Sequence, residues 1–273
     1  MLARLLTLPA MLIALLAWPP RADASWTETV SIRGQTISLT IYTPPAAAKG
    51  QPQAAPRGTI FMGSGDVGWV GLAVSMAEEL SAQGYAVVGI NARQYLSKFT
   101  SGKQHLQPPD VPADYRTIAD WLKEKRLLVR PVVMSGVSEG AGLAVLAASD
   151  PKNHAWIDGV ITIGLPATSE LAWRWTDVGS WITKRDADEP SFAATDYLPA
   201  VAPVPLYMIQ SKKDEYVTPA DHERFRTVAK DPKRQILIDA SNHRFTDRRA
   251  ELSAAYKAGL DWIVQLAAKA GAK

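Results

Sequence analysis

One serine in this sequence lies between two glycines, with an apolar run before it and a run of small residues after it. Residues 132–142 have the sequence VVMSGVSEGAG, so Ser138 occupies the centre of a Gly-x-Ser-x-Gly pattern bounded by Gly136 and Gly140. A serine hydroxyl attacks a carbonyl when a sharp, strained strand-to-helix turn holds it clear of the backbone. The β-prone residues before Gly136 and the helix-prone residues 141–148 favour that setting. We therefore predict that Ser138 is a nucleophile.

Attack by a serine places negative charge on the carbonyl oxygen, so backbone N–H groups must face that oxygen. The N–H of Glu139, at the start of the following helix, is the first expected donor, with the positive end of the helix dipole behind it. The second is the N–H of Asp66, in the glycine-rich turn 63–69 (GSGDVGW) that follows an earlier buried strand. Two alternatives for this turn are a plain strand-to-helix connection and a phosphate-binding loop. The sequence lacks the Lys-Ser/Thr pair that a phosphate loop requires.

A serine nucleophile also needs a base and an orienting carboxylate just past the carboxyl ends of later strands. His243 follows the apolar run 236–238, and Asp214 follows the apolar run 205–209. The chain order Ser138, Asp214, His243 is the order expected for this chemistry on a parallel sheet. We predict that these three residues form a catalytic triad.

Other residues compete for the roles of base and acid. His105 and His154 fall in polar segments, and His222 falls in the first turn of a helix after Thr218-Pro219. Glu215 and Asp239 are alternative carboxylates. Asp214 is favoured because a residue a short turn beyond its strand can reach the base, whereas Asp239 precedes the histidine too closely to fold back.

The first residues of the chain resemble an export signal. Residues 1–24 carry an early positive charge at Arg4, an apolar stretch from Leu5 to Trp18, and an Ala-x-Ala site at 22–24. The apolar stretch is broken by proline and is short for a spanning helix of about 20 residues. We expect a signal peptide cleaved after Ala24, and a periplasmic or secreted protein.

The composition argues against nucleic-acid binding and against cysteine-based chemistry. Cleavage of the signal lowers the formal net charge of +3 by one unit, and no basic run interleaved with aromatic residues is present, so nucleic-acid binding is not indicated. The absence of cysteine removes thiolate metal sites and a cysteine nucleophile from consideration. We expect no metal and no organic cofactor.

Strands and helices are predicted to alternate along the remaining chain. The sequence favours a hairpin at 28–42, an irregular Ala167–Pro203 segment and a loop at 91–112. Predicted strands are 59–62, 85–90, 132–136, 157–163, 204–209 and 235–238, and predicted helices are 72–83, 113–125, 141–148 and 247–267. This alternation indicates one α/β domain over residues 25–273, with a mostly parallel sheet and helices on both faces.

Two sequence motifs resemble those of a known protein family. The turn 63–69 and the later run ELSAQGYAVVGI at 79–90 resemble the VirJ/AcvB family of virulence proteins, which carries a similar S-G-D-G-G-W run and a G-Y-x-V-V-G strand. Val67 stands where that family usually has glycine, and Glu139 stands where members often have a small or apolar residue. The resemblance implies an α/β-hydrolase fold, Ser138, Asp214 and His243 as triad, and the 64–66 turn as oxyanion loop. It also implies export to the periplasm and hydrolysis of lysyl-phosphatidylglycerol, an aminoacyl ester of a membrane lipid.

The segment 167–203 is rich in tryptophan and lies where hydrolases often insert a lid. Ordinary core packing and a role in shaping an acyl or headgroup pocket, or in touching the bilayer interface, are both compatible with such residues. The candidate substrate-binding residues are Ser64, Trp69, Trp173, Trp175 and Trp181. Asp177, Asp186, Asp188 and Glu189 would either attract a cationic aminoacyl group or form a charged surface loop.

The expected function is that of an exported serine hydrolase acting on a small-molecule or lipid ester. The alternatives are a carboxylesterase or peptidase acting on soluble substrates, and a non-catalytic periplasmic binding protein on a hydrolase scaffold, because a fold alone does not establish activity.

Overall fold

The structure is a computed structural model that describes residues 25–45, 55–100, 105–173 and 190–271. The predicted signal segment 1–24 lies outside the described residues. So do Trp175, Trp181 and the four acidic residues of the tryptophan-rich segment. No helix in the part of the chain that is described is long and apolar enough to cross a membrane.

Eight strands form the main sheet. They are β1 (Ser25–Ile32), β2 (Gln35–Tyr42), β3 (Thr59–Gly63), β4 (Ala86–Ile90), β5 (Val132–Val137), β6 (Gly159–Ile163), β9 (Leu206–Ser211) and β10 (Lys233–Ile238). Their order in the sheet is β1-β2-β4-β3-β5-β6-β9-β10. Strands β1 and β2 form an antiparallel hairpin, and β2 pairs antiparallel with β4, whereas all pairs from β4 to β10 are parallel. The short strands β7 (Thr168–Glu170) and β8 (Ser191–Ala193) pair separately. The predicted mostly parallel sheet is confirmed.

Helices cover both faces of this sheet. They are α1 (Leu72–Ala82), α2 (Ala92–Lys98), α3 (Asp110–Glu124), α4 (Glu139–Ser149), α5 (Ala194–Val201), α6 (Pro219–Val228) and α7 (Arg249–Gly271). One apolar core packs α2 to α6 against the sheet, and a second core packs α1 and α7 against the opposite face. The central strands are apolar on both faces because both faces are covered.

Two helices appear where the sequence predicted irregular chain. Helix α2 begins after Asn91, whose side chain accepts a hydrogen bond from the Gln94 N–H at 3.1 Å. It buries Tyr95 and Leu96, so tertiary packing stabilises a seven-residue helix that is too short to show a clear period. The prediction of a continuous loop over 91–112 was therefore wrong. Helix α5 similarly lies within the segment 167–203, where it packs against α4 through the first core.

The parallel strands bring distant parts of the sequence to one edge of the sheet. Strands β3, β5, β9 and β10 end at Gly63, Val137, Ser211 and Ile238, and each is followed by predicted site residues. Carboxyl ends of parallel strands share an edge, so this topology gathers those residues in space.

Candidate active site

Ser138 has the strained backbone that was predicted for a sharp strand-to-helix turn. It connects β5 to α4 with φ 53° and ψ −119°, a conformation that non-glycine residues rarely adopt. Its backbone N–H donates to the Ile163 carbonyl at 3.0 Å, and the Gly140 N–H donates to the Ser64 carbonyl at 3.0 Å. The predicted strand, turn and helix around Ser138 are present, and hydrogen bonds hold the turn on both sides.

Glycines allow α4 to approach the strands closely. A β-carbon on Gly140 would lie 2.4 Å from the carbonyl carbon of Gly63, and one on Gly136 would lie 2.1 Å from the carbonyl carbon of Gly140. Both clashes would be with backbone, which cannot rotate away as a side chain can. The two glycines of the Gly-x-Ser-x-Gly pattern therefore permit the sharp turn that exposes the serine.

His243 and Asp214 meet at the same edge of the sheet. The Nδ1 atom of His243 lies 2.7 Å from Oδ2 of Asp214, and the side chain of Asp214 is fully buried. The other oxygen of Asp214 accepts hydrogen bonds from the N–H groups of Tyr216 and Val217, at 2.8 and 3.2 Å. These bonds fix the carboxylate, which in turn fixes the imidazole.

The second nitrogen of the imidazole makes no hydrogen bond with the described part of the chain. Nε2 of His243 is buried and has no hydrogen-bond partner among the described residues. The ring lies against Gly164, where an added β-carbon would be 2.8 Å from Cε1. Because Gly164 directly follows Ile163, whose carbonyl accepts the Ser138 N–H, the end of β6 lies beside both His243 and Ser138.

Charges around His243 favour its protonated form. Burial alone would lower the pKa of the imidazole, but the hydrogen bond and charge of Asp214, with the charges of Glu139 and Glu215, raise that pKa above its ordinary value. Glu215 also accepts the backbone N–H of His243 at 2.8 Å. A base of raised pKa, held by a buried carboxylate, is suited to taking a proton from a nearby hydroxyl.

The turn predicted to be the oxyanion loop lies beside Glu139, and the N–H predicted to be its donor is occupied. The N–H of Asp66 donates to Oε2 of Glu139 at 2.9 Å. The sequence predicted that the backbone N–H groups of both residues would face an open site, and it did not anticipate the Glu139 side chain there.

The environment of the Glu139 carboxylate is buried and acidic. Burial, and next the charge of Asp66, raise the pKa of Glu139, while hydrogen bonding by the backbone N–H groups of Glu139 and Asp66 and by the Ser138 side chain acts in the opposite direction. The carboxylate thus interacts with both expected oxyanion donors and with the expected nucleophile.

Three candidate substrate-binding residues have structural contacts. The Ser64 hydroxyl is fully buried, accepts the Ala92 N–H and donates to the Gly65 carbonyl, both at 3.0 Å. The indole of Trp69 packs over Gly89 and donates to the Tyr42 hydroxyl at 3.2 Å. The ring of Trp173 packs against the first core and lies 3.9 Å from the Arg93 guanidinium. Contact of any of them with a substrate stays a prediction.

The competing residues are placed elsewhere or have other contacts. Asp239 is exposed and lies 3.4 Å from the Lys213 ammonium. His154 bonds the Ala148 carbonyl at 2.9 Å, and His222 lies in α6, where burial lowers its pKa. Within the described ranges, no group of three or more histidine and acidic side chains could hold a metal ion.

Sequence analysis missed two residues that contact His243. Gly164 supports one side of the ring, and Tyr216 approaches it edge-on, with ring centroids 5.2 Å apart. The signal for Gly164 was a glycine directly after a buried strand, a place where the chain often comes close to another group. Tyr216 had no comparable signal beyond its position two residues after Asp214.

The sequence model of one family, described as "Bacterial virulence protein (VirJ)", matches residues 58–252. This chain belongs to the VirJ family. The match contains the 63–69 turn, Ser138, Asp214 and His243, so the resemblance predicted from the two motifs is confirmed at the family level. Among individual proteins, the chain is 33% identical over 66 residues to the uncharacterized protein YfhR of Escherichia coli K12, and that match spans 23% of each chain.

Several solved structures share the fold of this VirJ family member. Est1E from Butyrivibrio proteoclasticus is 15% identical with a TM-score of 0.59, covering 88% of this chain and 99% of its own. XC6422 from Xanthomonas campestris, described as an a/b serine hydrolase without lid, is 17% identical with a TM-score of 0.55, covering 89% and 96%. The α/β hydrolase GrgF from Penicillium is 11% identical with a TM-score of 0.63, covering 88% and 98%. These similarities establish the predicted α/β-hydrolase fold.

Proposed function

We propose that this protein is a serine hydrolase that cleaves a carboxylic ester through an acyl-enzyme. The observation that carries the proposal is the buried pair of His243 and Asp214, 2.7 Å apart, whose free Nε2 lies at the same end of the sheet as the strained Ser138. Here one nitrogen is held by a carboxylate, and the other has no partner among the described residues, so it is not bonded to Ser138 in this structure. The proposal is that this bond forms when a substrate binds, because catalytic hydrogen bonds often tighten only in the complex.

The reaction proceeds in two halves. Ser138 Oγ attacks the ester carbonyl while its proton passes to His243 Nε2, and the tetrahedral intermediate collapses by breaking the bond to the alcohol, which takes the proton from His243. Water then gives a proton to His243 and attacks the acyl-enzyme, which releases the acid and returns the proton to Ser138. Asp214 holds the tautomer and stabilises the imidazolium, and the N–H groups of Glu139 and Asp66 stabilise the oxyanion in each half.

The preferred substrate is an aminoacyl ester of a membrane phospholipid, such as lysyl-phosphatidylglycerol, met by an exported form of the protein in the periplasm. Membership of the VirJ family and the export-like residues 1–24 support this assignment. The acidic side chains close to His243 also support it, because they favour a cationic acyl group. A lipid substrate implies peripheral contact with the bilayer, for which the tryptophans of the 167–203 segment are the candidates.

A soluble ester or peptide bond is the second candidate, because one structure of similar fold is described as the esterase domain of a Rhodothermus marinus protein. The non-enzymatic candidate is a binding protein that retains the hydrolase scaffold.

Substrate assays separate these candidates. Purified protein is incubated with p-nitrophenyl acetate and, separately, with vesicles containing lysyl-phosphatidylglycerol, beside Ser138→Ala and the surface variant Asp239→Asn. We expect free lysine from the vesicles and p-nitrophenol from the short ester, both lost in Ser138→Ala and retained in Asp239→Asn. Activity on the short ester alone would overturn the lipid assignment, and equal rates in wild type and Ser138→Ala would overturn the hydrolase proposal.

A further inference from the structure

The carboxylate of Glu139 binds the backbone N–H that is predicted to be an oxyanion donor. Its Oε2 accepts the Asp66 N–H at 2.9 Å, across 73 positions of sequence. A β-carbon built on Gly65 would lie 3.5 Å from Oε2 of Glu139 and also 3.5 Å from Cβ of Ser138. The carboxylate therefore lies close to both the predicted oxyanion loop and Ser138.

This placement brings the carboxylate into competition with the substrate. An oxyanion hole stabilises a developing negative charge because its N–H groups are already oriented toward that position. A carboxylate oxygen has the charge and the acceptor geometry of such an oxyanion, so the same donors bind it well. While Glu139 accepts the Asp66 N–H, that donor is not available to a carbonyl oxygen.

An ordinary helix cap does not account for this contact. Acidic residues in the first turn of a helix usually interact with the exposed N–H groups of that same turn. Glu139 is the first residue of α4, and its carboxylate interacts with its own backbone N–H, but it also accepts a hydrogen bond from the loop that follows β3. Capping of α4 alone would not require a hydrogen bond from Asp66 on another loop.

While His243 is neutral, as a base must be, no cation among the described residues neutralises this carboxylate. No lysine or arginine there forms an ion pair with Glu139, and the neighbouring Asp66 adds a second negative charge. A buried carboxylate without a positive partner is held at a cost in desolvation. It would move readily toward a positive charge that entered the site.

We propose that Glu139 is a built-in competitor for the oxyanion hole, displaced most readily by a substrate whose acyl group carries a positive charge beside the carbonyl. This inference rests on the proposed ester hydrolysis, and it makes Glu139 a specificity-determining residue of that reaction. An α-ammonium group lies on the carbon next to the carbonyl, so the cation and the carbonyl oxygen arrive together. The ammonium pairs with the carboxylate, and the vacated Asp66 N–H receives the oxygen. A neutral acyl group must displace the carboxylate without that compensation.

The test uses two esters that differ only in the ammonium group: the p-nitrophenyl esters of alanine and of propionic acid. kcat/KM is measured for wild type, Glu139→Ala, Glu139→Gln and the control Asp239→Asn, and each variant is compared with wild type on the same ester, which cancels the intrinsic reactivity of the esters. Glu139→Ala retains the backbone N–H but has no side chain able to reach Asp66. Glu139→Gln retains a neutral acceptor. Fluorophosphonate labelling and thermal unfolding confirm that each variant is folded with a reactive serine.

We expect Glu139→Ala to raise kcat/KM on the propionyl ester by about tenfold or more, because freeing one oxyanion donor restores part of the roughly 10²- to 10³-fold that such a donor contributes. On the alanyl ester the same variant should be slower than wild type, because the ammonium has lost its partner. Glu139→Gln should lie between wild type and Glu139→Ala on the propionyl ester, and Asp239→Asn should match wild type on both. Equal changes on the two esters in Glu139→Ala would overturn the inference and leave the hydrolase proposal standing. Absence of labelling and of hydrolysis in wild type would overturn both.

Discussion

Oδ2 of Asp214 lies 2.7 Å from Nδ1 of His243, and the other oxygen of the same carboxylate accepts two backbone N–H groups. The carboxylate is fully buried and cannot turn away without losing those bonds. It therefore fixes the imidazole with Nδ1 as the donor and Nε2 as the acceptor that faces the site.

Asp214→Asn should abolish most turnover while the protein remains folded. An asparagine amide facing Nδ1 favours the wrong tautomer, and the expected loss in kcat is about 10³- to 10⁴-fold. Asp239→Asn, which changes an exposed carboxylate paired with Lys213, should leave kcat within about twofold of wild type. Ester hydrolysis by Asp214→Asn within tenfold of wild type would show that this pair has no catalytic role.

The acid limb of the pH profile should move when a neighbouring charge is removed. His243 must be neutral to act as base, and its pKa is raised in part by the charge of Glu215. Glu215→Gln destabilises the imidazolium, lowers the pKa and extends activity to lower pH, whereas wild type loses kcat/KM as pH falls through a pKa above the ordinary 6.5. Profiles of kcat/KM for both proteins test this. A limb that stays in place, or moves to higher pH, would contradict it.

Gly164→Ala should separate activity from stability. Gly164 has φ +60°, and a β-carbon there would lie 2.8 Å from Cε1 of His243, so the imidazole must move. Gly34→Ala is the matched control, because Gly34 has φ +78° with nothing within 4 Å of an added β-carbon. Backbone strain should lower the unfolding free energy of each variant by about 1 kcal/mol, and the contact with the imidazole should add a further loss in Gly164→Ala. Only Gly164→Ala should lose activity, by about 100-fold for a displacement on the order of 1 Å.

The strain at Ser138 should be measurable in the absence of activity. Its φ of 53° suits glycine, and release of such strain is worth about 1 kcal/mol. Ser138→Gly should therefore unfold at higher denaturant concentration than Ser138→Ala, although glycine elsewhere usually destabilises a protein relative to alanine. The opposite order in urea unfolding would show that the turn is relaxed.

The sequence predicted the parts of this structure that depend on local pattern. The parallel strands were predicted from runs of apolar residues. Ser138, Asp214 and His243 were predicted as site residues because they follow such strands, and parallel strands end at one edge of the sheet. Helix α2 was missed because its seven residues are stabilised by contacts of Tyr95 and Leu96 with distant parts of the chain. The bond between Glu139 and Asp66 could not be predicted, because the direction of a side chain depends on a loop 73 positions away.

The central claim is that the Ser138 hydroxyl is an activated nucleophile. Its most direct measurement is labelling of the purified protein by a fluorophosphonate probe, with the modified peptide located by mass spectrometry. We expect a single phosphonylated residue, Ser138, and much slower labelling in His243→Ala because the base is absent. An unlabelled wild-type protein that is demonstrably folded, or equal labelling of wild type and Ser138→Ala, would contradict the account.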